Sequence, residues 1–205
     1  MNNKCPFCDK AYFEEHFLWR CLWENDDFFL IATLGQITDG GYLLLIPKQH
    51  IACVGAANKE DLEKIDSIHE KIIEALISEY HVSSVSVFEH GIVGQTVEHA
   101  HIHFIPAVCE VSMKIRKDFA QSMLDETYSW NRLGSMYKAK NRPYLIWHDR
   151  HQIGLEKMVL WNPHPVPAQY LRIVYAEALG RPERANWKNV NPVSDRKLIL
   201  ETVAR

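Results

Sequence analysis

Three histidines stand at alternate positions, His99, His101 and His103, in the run HAHIHFIP. On an extended strand, residues i, i+2 and i+4 share a face and each residue advances about 3.3 Å, so the three imidazoles would project side by side, roughly 6–7 Å apart. Ala100, Ile102 and Phe104 would then point the other way, into apolar packing. A buried idle imidazole is costly because its donor and its acceptor both need partners, so three on one face point to a working site. Just upstream, Gly91 and Gly94 flank a turn, and Gly94-Gln95-Thr96 leads toward the strand. Glycine lets backbone N–H groups approach an anion, and Gln95 and Thr96 add side-chain donors. Such a loop beside an imidazole suits nucleotidyl transfer, because charge developing on phosphate oxygens meets fixed dipoles. A neutral imidazole near pH 7 is both a nucleophile and a good leaving group for a second, hydrolytic step. Two other readings stay open: solvent-facing histidines that alternate with core residues, and a three-histidine metal tripod serving an oxygenase or isomerase.

The elements that must position this strand are legible around it. Residues 17–24 (FLWRCLWE) and 28–34 (FFLIATL) read as strands separated by the polar turn Asn25-Asp26-Asp27. TDGG (38–41) marks a turn before the apolar strand YLLLIP (42–47). Residues 59–80 predict a helix capped by Asn58, with Leu62, Ile65, Ile68 or His69, Ile72, Leu76 and Tyr80 at helical spacing. Glu60, Asp61 and Glu63 suit the positive end of its dipole. Strand 85–90, a turn over 91–95 and strand 98–106 follow, and this order suggests an α+β fold with an antiparallel sheet. After about residue 107 the pattern predicts an amphipathic helix over 112–130, strands over 144–148 and 156–161, a helix over 167–179 and a last helix over 194–203. We divide the chain into a first domain of residues 1–110 and a C-terminal α/β extension of residues 111–205 packed on it.

Composition narrows the field. At 205 residues the chain is long enough to bury a substantial core. No apolar run approaches the roughly 20 residues of a membrane helix, and MNNKCPFCDK lacks the apolar centre of a secretory signal. Five cysteines without a spaced framework argue against an extracellular disulfide scaffold and for a reducing cytoplasm. A net charge of −3 speaks against a duplex-DNA partner, yet leaves room for a small anion in a locally positive pocket.

GQTVEHAHIHFIP resembles the signature of the histidine-triad (HIT) family, in which alternating histidines follow Gly-Gln-Ser/Thr. LLLIPKQHI (43–51) is similar to that family's apolar strand ending in Ile-Pro-Lys-x-His, and CPFC resembles the Cys-x-x-Cys of its zinc-bearing bacterial branch. These landmarks span about the first half of the chain. The resemblance implies a HIT-like antiparallel sheet with flanking helices, and a homodimer. It implies a nucleotide substrate such as a diadenosine polyphosphate, a phosphoramidate or another adenylylated compound, with no organic cofactor. It makes His101 the nucleophile that forms a covalent nucleotidyl intermediate, His103 its support at the phosphate, and Gln95 and Thr96, beside Gly94, contacts to phosphate or leaving group. The chain departs from the family at two places. Phe88-Glu89-His90-Gly91 stands where many members carry Asn-x-Gly, so His90 is the candidate replacement for a phosphate-binding asparagine. The position of a ribose-binding aspartate falls on Leu34, with Asp39 out of register. These departures motivate an alternative function, a nucleotide or RNA-end binding module that has lost its chemistry.

Cys5-x-x-Cys8 has the spacing of half a tetrahedral zinc site, which His50 and His99 can complete, as the resemblance also implies. Two plain reduced cysteines or a redox pair are the alternatives, although no βαβ pattern follows the motif. Cys21, Cys53 and Cys109 lie in apolar surroundings and read as packing residues. In the second half, Arg172, Arg181, Arg184 and Lys188 read as a solvated helix face, with reach to a phosphate chain as the alternative, and Trp147, Trp161 and Trp187 as packing anchors, although stacking on a base is open to them.

Overall fold

The computed structural model describes residues 5–127, 129–149 and 157–205. Helix α1 (Lys10–His16) precedes strands β1 (Cys21–Glu24), β2 (Phe28–Ala32) and β3 (Leu43–Pro47). Helix α2 (Lys59–Tyr80), β4 (Ser86–Gly91) and β5 (Ile102–Ile105) complete the first half. The second half adds α3 (Ser112–Asp118), β6 (Met123–Thr127), α4 (Trp130–Lys140), β7 (Tyr144–Asp149), β8 (Lys157–Trp161), α5 (Tyr170–Ala178) and α6 (Pro192–Val203). All eight strands of the described residues join one antiparallel sheet in the order β1-β2-β3-β5-β4-β7-β8-β6. The fold is α+β, as the order of the sequence elements implies.

Helix α2 forms as its sequence dictates. The Asn58 side chain accepts from the Asp61 N–H, Glu60 and Asp61 occupy the first turn, and the buried Leu62, Ile65, His69, Ile72, Ile73 and Leu76 recur every three or four residues. The helix ends at His81 in the left-handed region (φ 51°). Its apolar stripe packs on the sheet face that carries Leu43, Leu45, Ile102, Phe104, Val87 and Ile146, joined by Trp130 and Leu133 of α4 and Ile199 of α6. The opposite face carries Phe88, Leu145, Trp147 and Leu160 under α3 and α5, and Ile31, Leu44 and Ile46 beside Phe7 and Phe13 of the N-terminal segment. Helices therefore cover both faces of the sheet, and its central strands are buried on both sides. This explains why β3 reads as an unbroken apolar run instead of an alternating one.

A carboxyl is enclosed beneath the α4 side. Glu89 is fully buried and accepts from the Val54 N–H (2.7 Å) and the Tyr144 hydroxyl (2.6 Å). Burial pushes it from 4.5 up to about 7, against the two hydrogen bonds that favour its charged form. A folded-state value above the unfolded one means that its contribution to stability is complete below about pH 4.5 and is lost as pH rises through 7. Glu89→Gln should therefore flatten the decline in urea-unfolding free energy over that window by a few kcal/mol. An equal slope in the variant and the parent would show that this group does not titrate there.

The structure corrects several local expectations. The stretch 112–130 is not one helix: α3 ends at Asp118, β6 pairs with β8 from Met123 to Thr127, and α4 starts at Trp130. Helical periodicity and a short strand overlap in that window, and pairing with β8 settles it. The expected strand 17–24 begins as a 3-10 turn (Leu18–Arg20), because Arg20 turns inward to bond the Ala32 carbonyl. The strand expected over 28–34 stops at Ala32, and β8 runs over 157–161, since residue 156 of the expected strand lies outside the described residues. The strand expected over 98–106 is only Ile102–Ile105 long.

Candidate active site

β5 lies between β3 and β4, with His103 opposite both Leu44 and Phe88. That register aims His103 at the face under α5, while Ile102 and Phe104 join the core under α2, so the expected alternation holds over residues 102–104. His99 and His101 precede the strand, and the Ala100 N–H is held by the Ile51 carbonyl. The rings of His101 and His103 lie closer than strand spacing implies, 4.9 Å between centroids. All three histidines are buried, at 0%, 8% and 7% exposure for His99, His101 and His103, which removes the solvent-facing alternative.

The hydrogen bonds fix what each ring offers. A carbonyl only accepts, so His101 donates from Nδ1 to the His99 carbonyl (2.7 Å), and its Nε2 keeps a lone pair in the neutral ring. Burial holds the His101 imidazolium below the usual histidine range, which keeps that lone pair available near neutral pH. By the same logic His99 donates from Nε2 to the Pro47 carbonyl (2.7 Å) and turns the lone pair of Nδ1 toward Cys5 and Cys8. His103 bonds the Tyr42 hydroxyl through Nδ1 (2.7 Å) and stacks on Phe88 at 4.2 Å, while its Nε2 is buried with no partner among the described residues.

The His101 and His103 rings border a cleft of about 500 Å³. Its other walls come from the N-terminal segment (Phe7, Phe17, Trp19 and Arg20), from Leu34, from the loop Gly94-Gln95-Thr96, and from Arg172, Trp187 and Lys188 of the second half. Gly94 adopts φ +76°, and a Cβ there would sit 2.9 Å from Val166 and 3.1 Å from the Pro167 carbonyl, so the turn needs glycine. The Gln95 side-chain amide donates to the carbonyls of Ala52 and His90, which holds the loop in place, and Thr96 stands exposed at the rim. His90 belongs to β4 and is not in a turn; it is buried, and its Nε2 accepts from the Leu171 N–H at the start of α5 (3.1 Å). Burial drives it down to about 3, so the ring stays neutral.

Sequence reasoning placed His90, Gly94, Gln95, Thr96, His101 and His103 together, and all of them line this cleft. It missed Tyr42 and Arg20, and it held Arg172, Lys188 and Trp187, which line the cleft, only as alternatives to a solvated face and a packing anchor. Arg172 is not on a solvated helix face: it is 3% exposed and bonds the carbonyls of Gly35, Arg184 and Ala185. Trp187 borders the cleft, whereas Trp147 and Trp161 are buried packing residues. No spacing rule links a residue some seventy positions downstream to the histidines. Leu34 does line the cleft, so an apolar side chain occupies a wall where the resemblance implies a carboxylate.

Beside the cleft, Cys5, Cys8, His50 and His99 bring their ligand atoms within 4.8 Å of one another. The Cys8 sulfur lies 3.3 Å from His50 Nδ1 and 3.4 Å from His99 Nδ1, and Cys5 lies 3.4 Å from His99 Nδ1. A tetrahedral ion with metal–sulfur and metal–nitrogen bonds of about 2.3 and 2.0 Å has edges of about 3.5 Å, so the donor set fits one. Phe7, between the two cysteines, meets the His99 and His101 rings edge-on at 5.5 and 5.9 Å, so the cluster adjoins the cleft.

Residues 4–117 match the profile of the family described as scavenger mRNA decapping enzyme C-term binding. No curated protein matches the sequence. Among solved structures, a HIT family protein from Bacillus anthracis is 28% identical, over 51% of this chain and 73% of that one, with a TM-score of 0.45. A HIT family member from Bacillus subtilis is 26% identical, over 50% and 72% of the two chains, with a TM-score of 0.44. A Zn-bound histidine triad family protein from Mycobacterium smegmatis is 24% identical, over 50% and 74%, with a TM-score of 0.43.

Proposed function

Because this chain belongs to the histidine-triad proteins, within the scavenger mRNA decapping enzyme C-term binding family, we propose that it is a nucleotide hydrolase or transferase acting through a covalent intermediate on His101. One observation carries the reading: His101 Nδ1 is bound to the His99 carbonyl, which leaves a buried, uncharged Nε2 lone pair at the cleft. In the first step this lone pair attacks a phosphorus atom of a phosphoanhydride or phosphoramidate. A P–N bond to His101 forms and the bond to the leaving group breaks. In the second step water or another acceptor attacks the same phosphorus, and the His101 ring leaves with its electron pair. His103 supports the phosphate from its Nε2, and Gly94, Gln95, Thr96 and His90 make up the phosphate side of the cleft. Substrates are dinucleoside polyphosphates, nucleoside phosphoramidates or other adenylylated compounds, and cap-derived dinucleotides join the panel because of the family described above.

Zinc is the proposed ion for Cys5, Cys8, His50 and His99, since thiolate and imidazole donors in a closed four-ligand set suit it. Its contribution there is structural: all four positions are filled by protein, and His101 stays outside the set. Leu34 on the wall favours a second reading, a nucleotide or RNA-end binding module without turnover. Incubation with the nucleotide panel and intact-mass detection separates the two. A nucleotidyl mass on His101 with release of product supports the hydrolase, binding with no adduct and no product supports the module, and neither binding nor adduct across the panel overturns both.

A further inference from the structure

The unpartnered Nε2 of His103 is explained by what holds the other side of its ring. Tyr42 is fully buried immediately before β3, and its hydroxyl meets His103 Nδ1 at 2.7 Å. Its backbone is clamped at both ends: its N–H donates to Gln36 Oε1, and its carbonyl accepts from Thr33 N and Gln36 Nε2. The guanidinium of Arg172, carried by α5, lies over the Tyr42 ring, 5.2 Å from its centroid. The backbone carbonyls of Gly35, Arg184 and Ala185 hold that guanidinium in place. Phe88 stacks beneath His103 at 4.2 Å and 12°, and Tyr175 of α5 stacks on Phe88 at 4.9 Å, so the imidazole plane is set by packing.

The phenol has one proton and two lone pairs, and a guanidinium only donates. A fixed cation beside Tyr42 draws the oxygen lone pairs toward itself and turns the O–H toward His103. The same cation opposes a second positive charge on the His103 ring. His103 then accepts at Nδ1, and its proton is forced onto Nε2, the atom that has no partner among the described residues, on a ring that lies beside His101.

We infer that Tyr42 and Arg172 are positioning residues that lock His103 as a neutral Nε2–H donor aimed at the substrate, so that the second half of the chain sets the tautomer at the reactive centre. The inference deepens the proposed function and rests on it for the identity of the acceptor, a phosphoryl or leaving-group oxygen. The tautomer itself is independent of any turnover.

Nitrogen-15 NMR of the wild-type side chain reads it directly: the expected spectrum has His103 protonated at Nε2 and bare at Nδ1. Tyr42→Phe keeps the ring and removes the hydroxyl. It should turn His103 into a mixture of tautomers and lower kcat about tenfold while KM stays within about twofold. Arg172→Gln should move the His103 signals in the same direction, and Arg172→Lys, which keeps the charge, should restore part of the shift. If the arginine variants fail to fold, the wild-type spectrum and Tyr42→Phe still decide. Wild-type His103 protonated at Nδ1, or a Tyr42→Phe protein with parental tautomer and kcat, would overturn the inference. An Nε2-protonated His103 that shifts in Tyr42→Phe, in a protein inert toward every nucleotide, would sink the proposed function and leave this device standing.

Discussion

His101→Ala should lower turnover of a nucleoside phosphoramidate or dinucleoside polyphosphate by about a thousandfold or more, and should abolish the covalent adduct. The expectation follows from electron supply. His101 is the ring whose Nδ1 is committed to a carbonyl, so its Nε2 lone pair is fixed on the cleft side by geometry. The neighbouring His103 cannot substitute while its Nδ1 faces Tyr42 and its Nε2 carries the proton. The substitution removes a ring at the cleft wall and leaves the strand pairing of β5 with β3 and β4 untouched, because His101 precedes the strand. The variant should therefore fold and still bind nucleotide, measurable by calorimetry beside steady-state rates. Wild-type rates in a folded His101→Ala protein would end the nucleophile assignment.

Removing the metal should produce the second large effect, on stability first and on activity through it. Purified protein is expected to carry one zinc per chain by elemental analysis. Cys8→Ala, or a strong chelator, should cost several kcal/mol and lower the thermal midpoint by several degrees. In the metal-free cluster, burial and the facing Cys5 side chain push Cys8 up to about 11, so the Cys8 thiol must give up its proton for an ion to bind there. The four ligands join residues far apart in the chain, and Phe7, held between two of them, braces His99 and His101. Loss of the ion frees that brace, so turnover should fall in step with unfolding of the N-terminal segment. Protein that holds no metal, and whose thermal midpoint ignores chelator, would remove the site.

Local chemistry made much of this legible. The alternation of His103 with Ile102 and Phe104 was legible because strand geometry has a period of two, whereas His99 and His101 precede β5 and take their directions from local carbonyl partners. The spacing in Cys5-x-x-Cys8 likewise offered two sulfur ligands on one turn. Helix α2 matched its expected limits at 59–80, since a capping asparagine and a long apolar stripe leave little for distant residues to decide. Where the periodic signal was short, partners decided. Residues 123–127 became a strand because β8 was there to pair with them, and strand pairing is a contact between segments far apart in sequence.

The sequence by itself determined that two thiols share one turn and that His103 faces away from Ile102 and Phe104, because residue type and spacing are local properties of the chain. That the thiols meet His50 and His99 was implied by the resemblance and is decided by packing between distant segments. Only the tertiary structure decided which nitrogen of each imidazole is free, since that depends on a carbonyl at His99, a hydroxyl at Tyr42 and an N–H at Leu171. It also decided that Arg172 and Trp187, which read as solvated and packing residues, border the cleft beside His101 and His103. Helix α5 packs on the sheet beside Phe88, and that packing brings the second half of the chain to the histidines. A buried polar atom takes the partner that folding places within about 3 Å, and that partner can come from any distance along the sequence.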